Sequence, residues 1–226
     1  NNLEDAFFEV DHGPFLVDNN IMLSPVAINY MSEGGAFVHN IIGGKINLRK
    51  ESTRFTPYHF SHSTKVAGLI NTLLGDDRYY NNIFTLDKSA GSPDQKGGQY
   101  GLEQYSKAQF PVWMASNIYF NGIKPYSKET NSIENPVTDP EIKIEERGKE
   151  VYLHIIVDES FNKVKTQMVT TSLLGKAKMP DLKYENPDGT PLIIDTDYSG
   201  NQRSETAPLV GPFEKLKQGK QVIRVW

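Results

Sequence analysis

Four gapless segments in the first half of the chain share one pattern: an apolar residue, two further positions, an asparagine and then isoleucine. They are residues 17–21, 37–41, 79–83 and 114–118. The asparagines stand at positions 20, 40, 82 and 117, so the intervals are 20, 42 and 35 residues. A period near 20 residues predicts a solenoid, in which each repeat buries its apolar face against its neighbours.

A strand on each side of the asparagine predicts a parallel β-helix of about four or five coils. The short asparagine side chain tolerates the left-handed backbone of a tight bend, and stacked amides form a ladder of hydrogen bonds between coils. The interval of 42 predicts an unmarked turn near His62, and the interval of 35 predicts one turn with a long insertion. The alternative is four unrelated turns, since asparagine is common in turns.

The sequence changes character after Gly122. Residues 125–139 are polar and proline-rich, which predicts a linker between a β-helix domain at 1–124 and a second domain at 140–226. The period-two alternation of residues 142–144 and 151–157 around Arg147-Gly148 predicts a β-hairpin. Further strands near the C-terminus predict an antiparallel β-sandwich.

Composition excludes several function classes. Lys plus Arg is 24 and Asp plus Glu is 28, so the net charge of −4 disfavours nucleic-acid binding. No apolar run approaches the roughly 18 residues of a membrane span. The absence of cysteine removes thiolate nucleophiles and cysteine zinc sites. Neither a serine-hydrolase motif nor a phosphate-binding loop occurs, and we expect no cofactor.

Two adjacent acids, Asp76 and Asp77, precede the third repeat segment. Neighbouring strand residues point to opposite faces, so the two side chains differ in role. Tyr79 aligns with core positions, which points Asp77 inward and both Asp76 and Arg78 outward. Gly75 can invert this parity, so both acids remain candidates. The alternative is an acid that only pairs with Arg78.

Three histidines, His12, His59 and His62, lie in polar clusters of the same half. With an Asp they could hold a transition metal. The spacing of His59 and His62 suits a helix, but Pro57 opposes a helix there. Binding of sugar hydroxyls, or orientation of a carboxylate, is the more economical role, and we predict no metal site.

The long insertion between the third and fourth segments carries Tyr100 and Glu103. A loop that overhangs a stack of coils can bring a reacting group to its flat face. Glu103 is the acid best placed to do so, and the alternative is a solvated loop glutamate.

Taken together, these segments resemble the right-handed parallel β-helix glycosidases of the β-xylosidase group in glycoside hydrolase family 120. The resemblance covers most of the chain and rests on residues 12–20, 35–40, 56–59, 62–64, 75–82, 100–102, 170–175, 184–189 and 194–197. The Gly75-Asp76-Asp77-Arg78 segment is its most specific part.

The resemblance implies retaining hydrolysis of β-xylosides or related pentosides in plant-derived oligosaccharides. By position it implies an Asp nucleophile at Asp76 or Asp77 and an acid/base at Glu103. A retaining mechanism requires the two carboxyl groups to lie about 5–5.5 Å apart. The predicted sugar-binding residues are His12, His59, His62, Arg78 and Tyr100.

Two other functions fit the sequence: a non-catalytic carbohydrate-binding β-solenoid, and a β-helix polysaccharide lyase that would need a cation. An enzyme of the resembled family has more coils, so we expect a C-terminal portion of a longer protein. The isolated chain would then be inactive, would pack against missing coils, or would cover its open edge in a homodimer. A periplasmic or extracellular location is favoured over a cytoplasmic one.

Overall fold

The computed structural model describes residues 5–86 and 100–226, and strands dominate it, as the all-β prediction requires. Within these ranges the helical segments are α1 (Ser160–Lys163), α2 (Thr171–Leu174) and a 3-10 helix at Glu103–Lys107. No helix in the described ranges has the length and apolar character to cross a membrane.

Three parallel sheets organise the first half of the chain, and strands β1 to β7 enter sheets A, B and C in turn. Sheet A contains β1 (Ala6–Glu9), β4 (Val26–Met31) and β7 (Lys45–Leu48). Sheet B contains β2 (Phe15–Asp18), β5 (Gly35–Val38), β10 (Arg78–Tyr80) and β12 (Trp113–Ala115). Sheet C contains β3 (Ile21–Met22), β6 (Ile41–Ile42), β11 (Ile83–Phe84), β13 (Ile118–Phe120) and β14 (Ile133–Asn135).

The four predicted repeat segments are stacked in register. Phe37 pairs with Val17 on one side and with Tyr79 on the other, and Tyr79 pairs in turn with Met114. The alignment made from sequence is therefore the pairing register of sheet B. Stacked rings join the repeats inside the sheets: the Phe37 and Tyr79 centroids lie 4.7 Å apart at an interplanar angle of 7°.

The predicted asparagine ladder is present. Each side-chain Oδ1 accepts hydrogen bonds from the backbone N–H and the Nδ2 of the preceding asparagine, at 2.8–3.1 Å, through Asn20, Asn40, Asn82 and Asn117. Glu129 occupies the next position, where its Oε1 accepts from Asn117 Nδ2 at 2.8 Å. The inner rungs are fully buried, so each bond is shielded from competition with water.

The prediction that the recurring asparagine itself adopts the left-handed backbone of the bend is wrong. The left-handed residue of each bend is the one before the ladder asparagine: Asn19, His39, Asn81 and Ser116 have φ between +55° and +65°. The ladder position is therefore selected by its amide hydrogen bonds, and the position before it by backbone conformation.

The predicted turn of a further repeat near His62 is also wrong. The interval of 42 residues contains an antiparallel hairpin, β8 (Glu51–His59) and β9 (Val66–Thr72), which is inserted between sheets A and B. Pro57 is accommodated within β8 because this two-stranded hairpin leaves an edge where no N–H donor is needed.

The second half contains a three-stranded antiparallel sheet, β15 (Lys143–Arg147), β16 (Glu150–Val157) and β19 (Gly219–Arg224). The hairpin predicted around Arg147-Gly148 is thereby confirmed. A short pair, β17 (Lys176–Ala177) and β18 (Leu182–Lys183), lies further along. The segment predicted as a linker contributes β14 to sheet C. The two-layer sandwich and the domain limits stay predictions.

Apolar side chains of the second half cover the outer faces of two parallel sheets. Ile83 of sheet C belongs to one buried cluster with Leu153 of the antiparallel sheet. Val38 of sheet B belongs to another with Leu174 and Tyr184. The segment that follows residue 169 therefore lies against sheet B, next to the acids that the sequence singles out.

Candidate functional site

The candidate site lies at the corner where each repeat passes from sheet A to sheet B. Successive repeats stack there, and Glu33 donates its backbone N–H to the Asp11 carbonyl at 2.9 Å. Gly13 and Gly34 have positive φ, and a Cβ on Gly13 would lie 2.3 Å from the Gly34 carbonyl oxygen. Only glycine allows this approach, so the corner brings polar residues of three repeats together.

Asp77 points into the space between the sheets, as strand alternation predicts. Its Oδ1 accepts from the Tyr30 hydroxyl and, at 3.0 Å, from the Gly35 N–H, and its Oδ2 lies 3.0 Å from the Tyr105 hydroxyl. Burial raises the pKa of Asp77 to about 8, although these hydrogen bonds lower it. At neutral pH this carboxyl is therefore mainly protonated.

Asp76 points the other way, towards the segment that covers sheet B. Its Oδ1 lies 2.7 Å from Arg78 Nη1, and its Oδ2 accepts from the Lys178 backbone N–H at 2.5 Å. Burial is the largest effect and raises the pKa of Asp76 above its ordinary value, although the Lys178 N–H and the charge of Arg78 oppose this shift. Unlike Asp77, this carboxyl has a cationic partner that favours its ionised form.

Arg78 joins Asp76 to the covering segment. The guanidinium donates from Nε to the Leu174 carbonyl at 3.0 Å and from Nη2 to the Lys176 carbonyl at 2.6 Å. Its central carbon lies 4.2 Å from the ring centroid of Trp113. The side chain is 2 % exposed and ties Asp76 to the covering segment, and the sugar contact predicted for Arg78 stays a prediction.

His12, a second predicted sugar ligand, is also enclosed. Its Nδ1 lies 3.0 Å from Glu33 Oε1, and its Nε2 lies 2.8 Å from the Thr56 hydroxyl of the inserted hairpin. Glu33 accepts in addition from the Leu73 N–H at 3.2 Å. Glu33 was not among the residues predicted from sequence, although it precedes Gly34 as His12 precedes Gly13 in the repeat before, which was a usable signal.

The remaining predicted residues keep accessible surface. His59 and His62 lie on or next to the hairpin; a His59 ring nitrogen lies 3.1 Å from the Thr64 carbonyl, and His62 lies 2.9 Å from Glu185. The three predicted histidines thus have separate partners. Across residues 5–86 and 100–226, no group of three or more His, Asp or Glu side chains could hold a metal ion.

Glu103 is exposed and begins the 3-10 helix whose Tyr105 reaches Asp77. Tyr100 is half-buried against the core, with the Lys45 ammonium 5.9 Å from its ring centroid. The structure therefore brings Asp76, Asp77, Arg78 and His12 to one corner. It connects Glu103 to this corner through Tyr105.

No family model and no curated protein matches the chain. Among solved structures, the chain is similar to XylC in a complex with xylose, at 36 % sequence identity and a TM-score of 0.89. The match covers 97 % of this chain and 37 % of the XylC chain, so this chain spans little more than a third of XylC's length. The all-β architecture with parallel sheets is thereby shared with a xylose-binding structure, and membership of family 120 stays a prediction.

Proposed function

We propose that this chain is part of a glycosidase that hydrolyses β-xylosides or related pentosides with retention of configuration. The observation that carries the proposal is the similarity, along almost the whole chain, to XylC in its complex with xylose. The order in which strands β1 to β7 enter sheets A, B and C supports a segment of a parallel β-helix.

Asp76 is the nucleophile in this proposal, and Asp77 is a positioning residue. A nucleophilic carboxylate must be ionised, and Arg78 favours that form at Asp76, whereas burial keeps Asp77 protonated at neutral pH. Asp77 fixes Tyr105, and with it the 3-10 helix that carries Glu103. Glu103 would then protonate the leaving oxygen and later activate water.

Sugar access to Asp76 requires movement of the covering segment, because the Lys178 N–H occupies Oδ2 and the side chain is 0 % exposed. Of the predicted sugar ligands, His59, His62 and Tyr100 retain accessible surface and remain part of the proposal. His12 and Arg78 act instead by holding the corner together.

A non-catalytic sugar-binding role is the second candidate. The complete burial of both Asp76 and Asp77 favours it, since each carboxyl is satisfied by protein donors without a sugar. In that case the acids stabilise the corner, and the accessible side chains bind the sugar.

Hydrolysis of an aryl β-xyloside and calorimetric binding of xylose and xylobiose, both measured on the intact protein that contains this chain, separate these candidates. We expect Asp76→Asn to abolish hydrolysis, whereas Asp77→Asn, which keeps a neutral side chain of the same shape in contact with Tyr105, should retain the fold and a measurable part of the hydrolysis. Proton NMR of the first product should show the β-anomer. Binding without turnover would establish the second candidate, and neither binding nor turnover would refute both.

A further inference from the structure

The chain has two tryptophans, and one of them, Trp113, lies beside the corner that holds Asp76 and Asp77, here called the acid corner. It begins β12 and pairs with Arg78 across sheet B. The Arg78 guanidinium carbon lies 4.2 Å from the Trp113 ring centroid, and its Nη1 lies 2.7 Å from Asp76 Oδ1. A single guanidinium thus separates the indole from the proposed nucleophile.

Trp113 is 41 % exposed although this contact covers part of the ring. A large aromatic surface left in water carries a cost unless something covers it, and the cation holds the ring in a fixed orientation. The Trp113 side chain is therefore preorganised, and little conformational entropy is lost when a ligand covers its free part.

Polar and apolar groups continue this surface towards Asp76. Lys178 is exposed, its backbone N–H donates to Asp76 Oδ2, and its ammonium lies 5.7 Å from the ring centroid of Phe110. Pro111, between Phe110 and Trp113, is exposed as well. The ring of Phe110, three residues before Trp113, is thus bordered by an ammonium donor, and an aromatic surface beside a donor binds a molecule with one apolar and one polar side.

A xylopyranoside has this character. Its ring C–H groups, including the unsubstituted C5 methylene, form an apolar face, and its hydroxyl groups accept hydrogen bonds around the edge. Stacked on the indole, the sugar would keep its hydroxyl groups free for the Lys178 ammonium, which has three donors.

We propose that Trp113 is a sugar-stacking residue that binds a pentopyranoside ring beside Asp76, with the Lys178 ammonium donating to its hydroxyl groups. This inference rests on the proposed function, because it assigns the contact that holds the substrate at the same corner.

Intrinsic fluorescence tests the proposal, because Trp226→Phe leaves Trp113 as the sole tryptophan. Titration of this variant with xylose and xylobiose should change the emission, with the dissociation constant that calorimetry gives for the unmodified chain. Trp113→Ala should weaken binding by about three- to tenfold. Trp226→Ala, which removes an equally large ring that is 79 % exposed, is the matched control and should leave binding within about twofold.

Trp113→Phe guards against a folding artefact, since it keeps a ring over Arg78 and should retain most of the affinity. If Trp113→Ala does not fold, the emission of the Trp226→Phe variant and the affinity of Trp113→Phe decide the matter. Sugar binding that leaves the Trp113 emission unchanged, or that Trp113→Ala does not weaken, would overturn this inference and leave the proposed function standing. No sugar binding by any variant would overturn both.

Discussion

Replacement of Asn82 by alanine tests whether the amide ladder contributes to stability as its geometry implies. Asn82 is fully buried, and its Oδ1 accepts from both the backbone N–H and the Nδ2 of Asn40, at 2.9 and 3.0 Å. Its Nδ2 donates to Asn117 Oδ1 and to the Phe37 carbonyl, both at 2.9 Å. Alanine removes all four hydrogen bonds.

Each such bond contributes about 0.5–1.5 kcal/mol net, and the buried Asn40 N–H left without its acceptor costs a further 1–3 kcal/mol or so. We therefore expect the free energy of unfolding to fall by about 3–9 kcal/mol, a large part of the roughly 5–15 kcal/mol typical of a folded domain. Urea unfolding followed by circular dichroism measures this loss as a lower transition midpoint.

Asn20→Ala is the matched control, because Asn20 is the exposed end of the same ladder. Its Nδ2 donates to the Asp18 carbonyl at 2.8 Å and to Asn40 Oδ1 at 3.1 Å, and water can replace both bonds. We expect a loss below about 1 kcal/mol. Equal losses for the two variants would show that the ladder bonds do not carry the stability assigned to them.

Three further outcomes follow from buried polar groups. The pKa of Asp77 is raised to about 8, so its contribution to stability is complete below about pH 4 and is lost as the pH rises through 8. Asp77→Asn should therefore flatten the pH profile of thermal unfolding in this window. An unchanged slope would contradict the assignment. Glu129→Ala should destabilise the chain by about 2–4 kcal/mol at pH 6, because Asn117 loses its acceptor. Glu129→Gln keeps an acceptor and should cost under about 1 kcal/mol. Equal urea midpoints for the two variants would refute this. Arg78→Lys should lower the thermal midpoint by several degrees, since one ammonium cannot replace bonds to Asp76 and to two carbonyls; calorimetry that shows no change would refute the structural role.

The fold of the first half could be predicted because asparagine marks the bend between sheets B and C in each of the four repeat segments. The ladder requires an amide at the same point of each repeat, so positions 20, 40, 82 and 117 reveal the register directly. The hairpin at Glu51–Thr72 could not be found this way, since an interval of 42 residues resembles two periods of about 20. The two strands of a hairpin pair their backbone hydrogen-bonding groups with each other, so the insertion adds no asparagine to the repeat pattern.

The position of the candidate acids in the fold was predictable from the sequence, and their contact partners were less so. Gly75-Asp76-Asp77-Arg78 is at the corner that the repeat implies, but one partner of Asp76, the Lys178 N–H, lies 102 residues further along the chain. A contact of that kind depends on how the second half packs on sheet B, which no local pattern records. For the same reason the enclosure of Arg78 could not be inferred from its neighbours in sequence.

Asp76 is hydrogen-bonded to the Lys178 N–H, and its partner Arg78 to the Leu174 and Lys176 carbonyls, which has a consequence for biosynthesis. While the ribosome is still adding residues beyond about 130, the stacked repeats can already form, but Arg78 and the apolar outer surface of sheet B have nothing against them. A nascent or prematurely terminated chain would expose that surface to chaperones and proteases. The acid corner is thus completed late in synthesis, and its formation reports that the C-terminal half has docked.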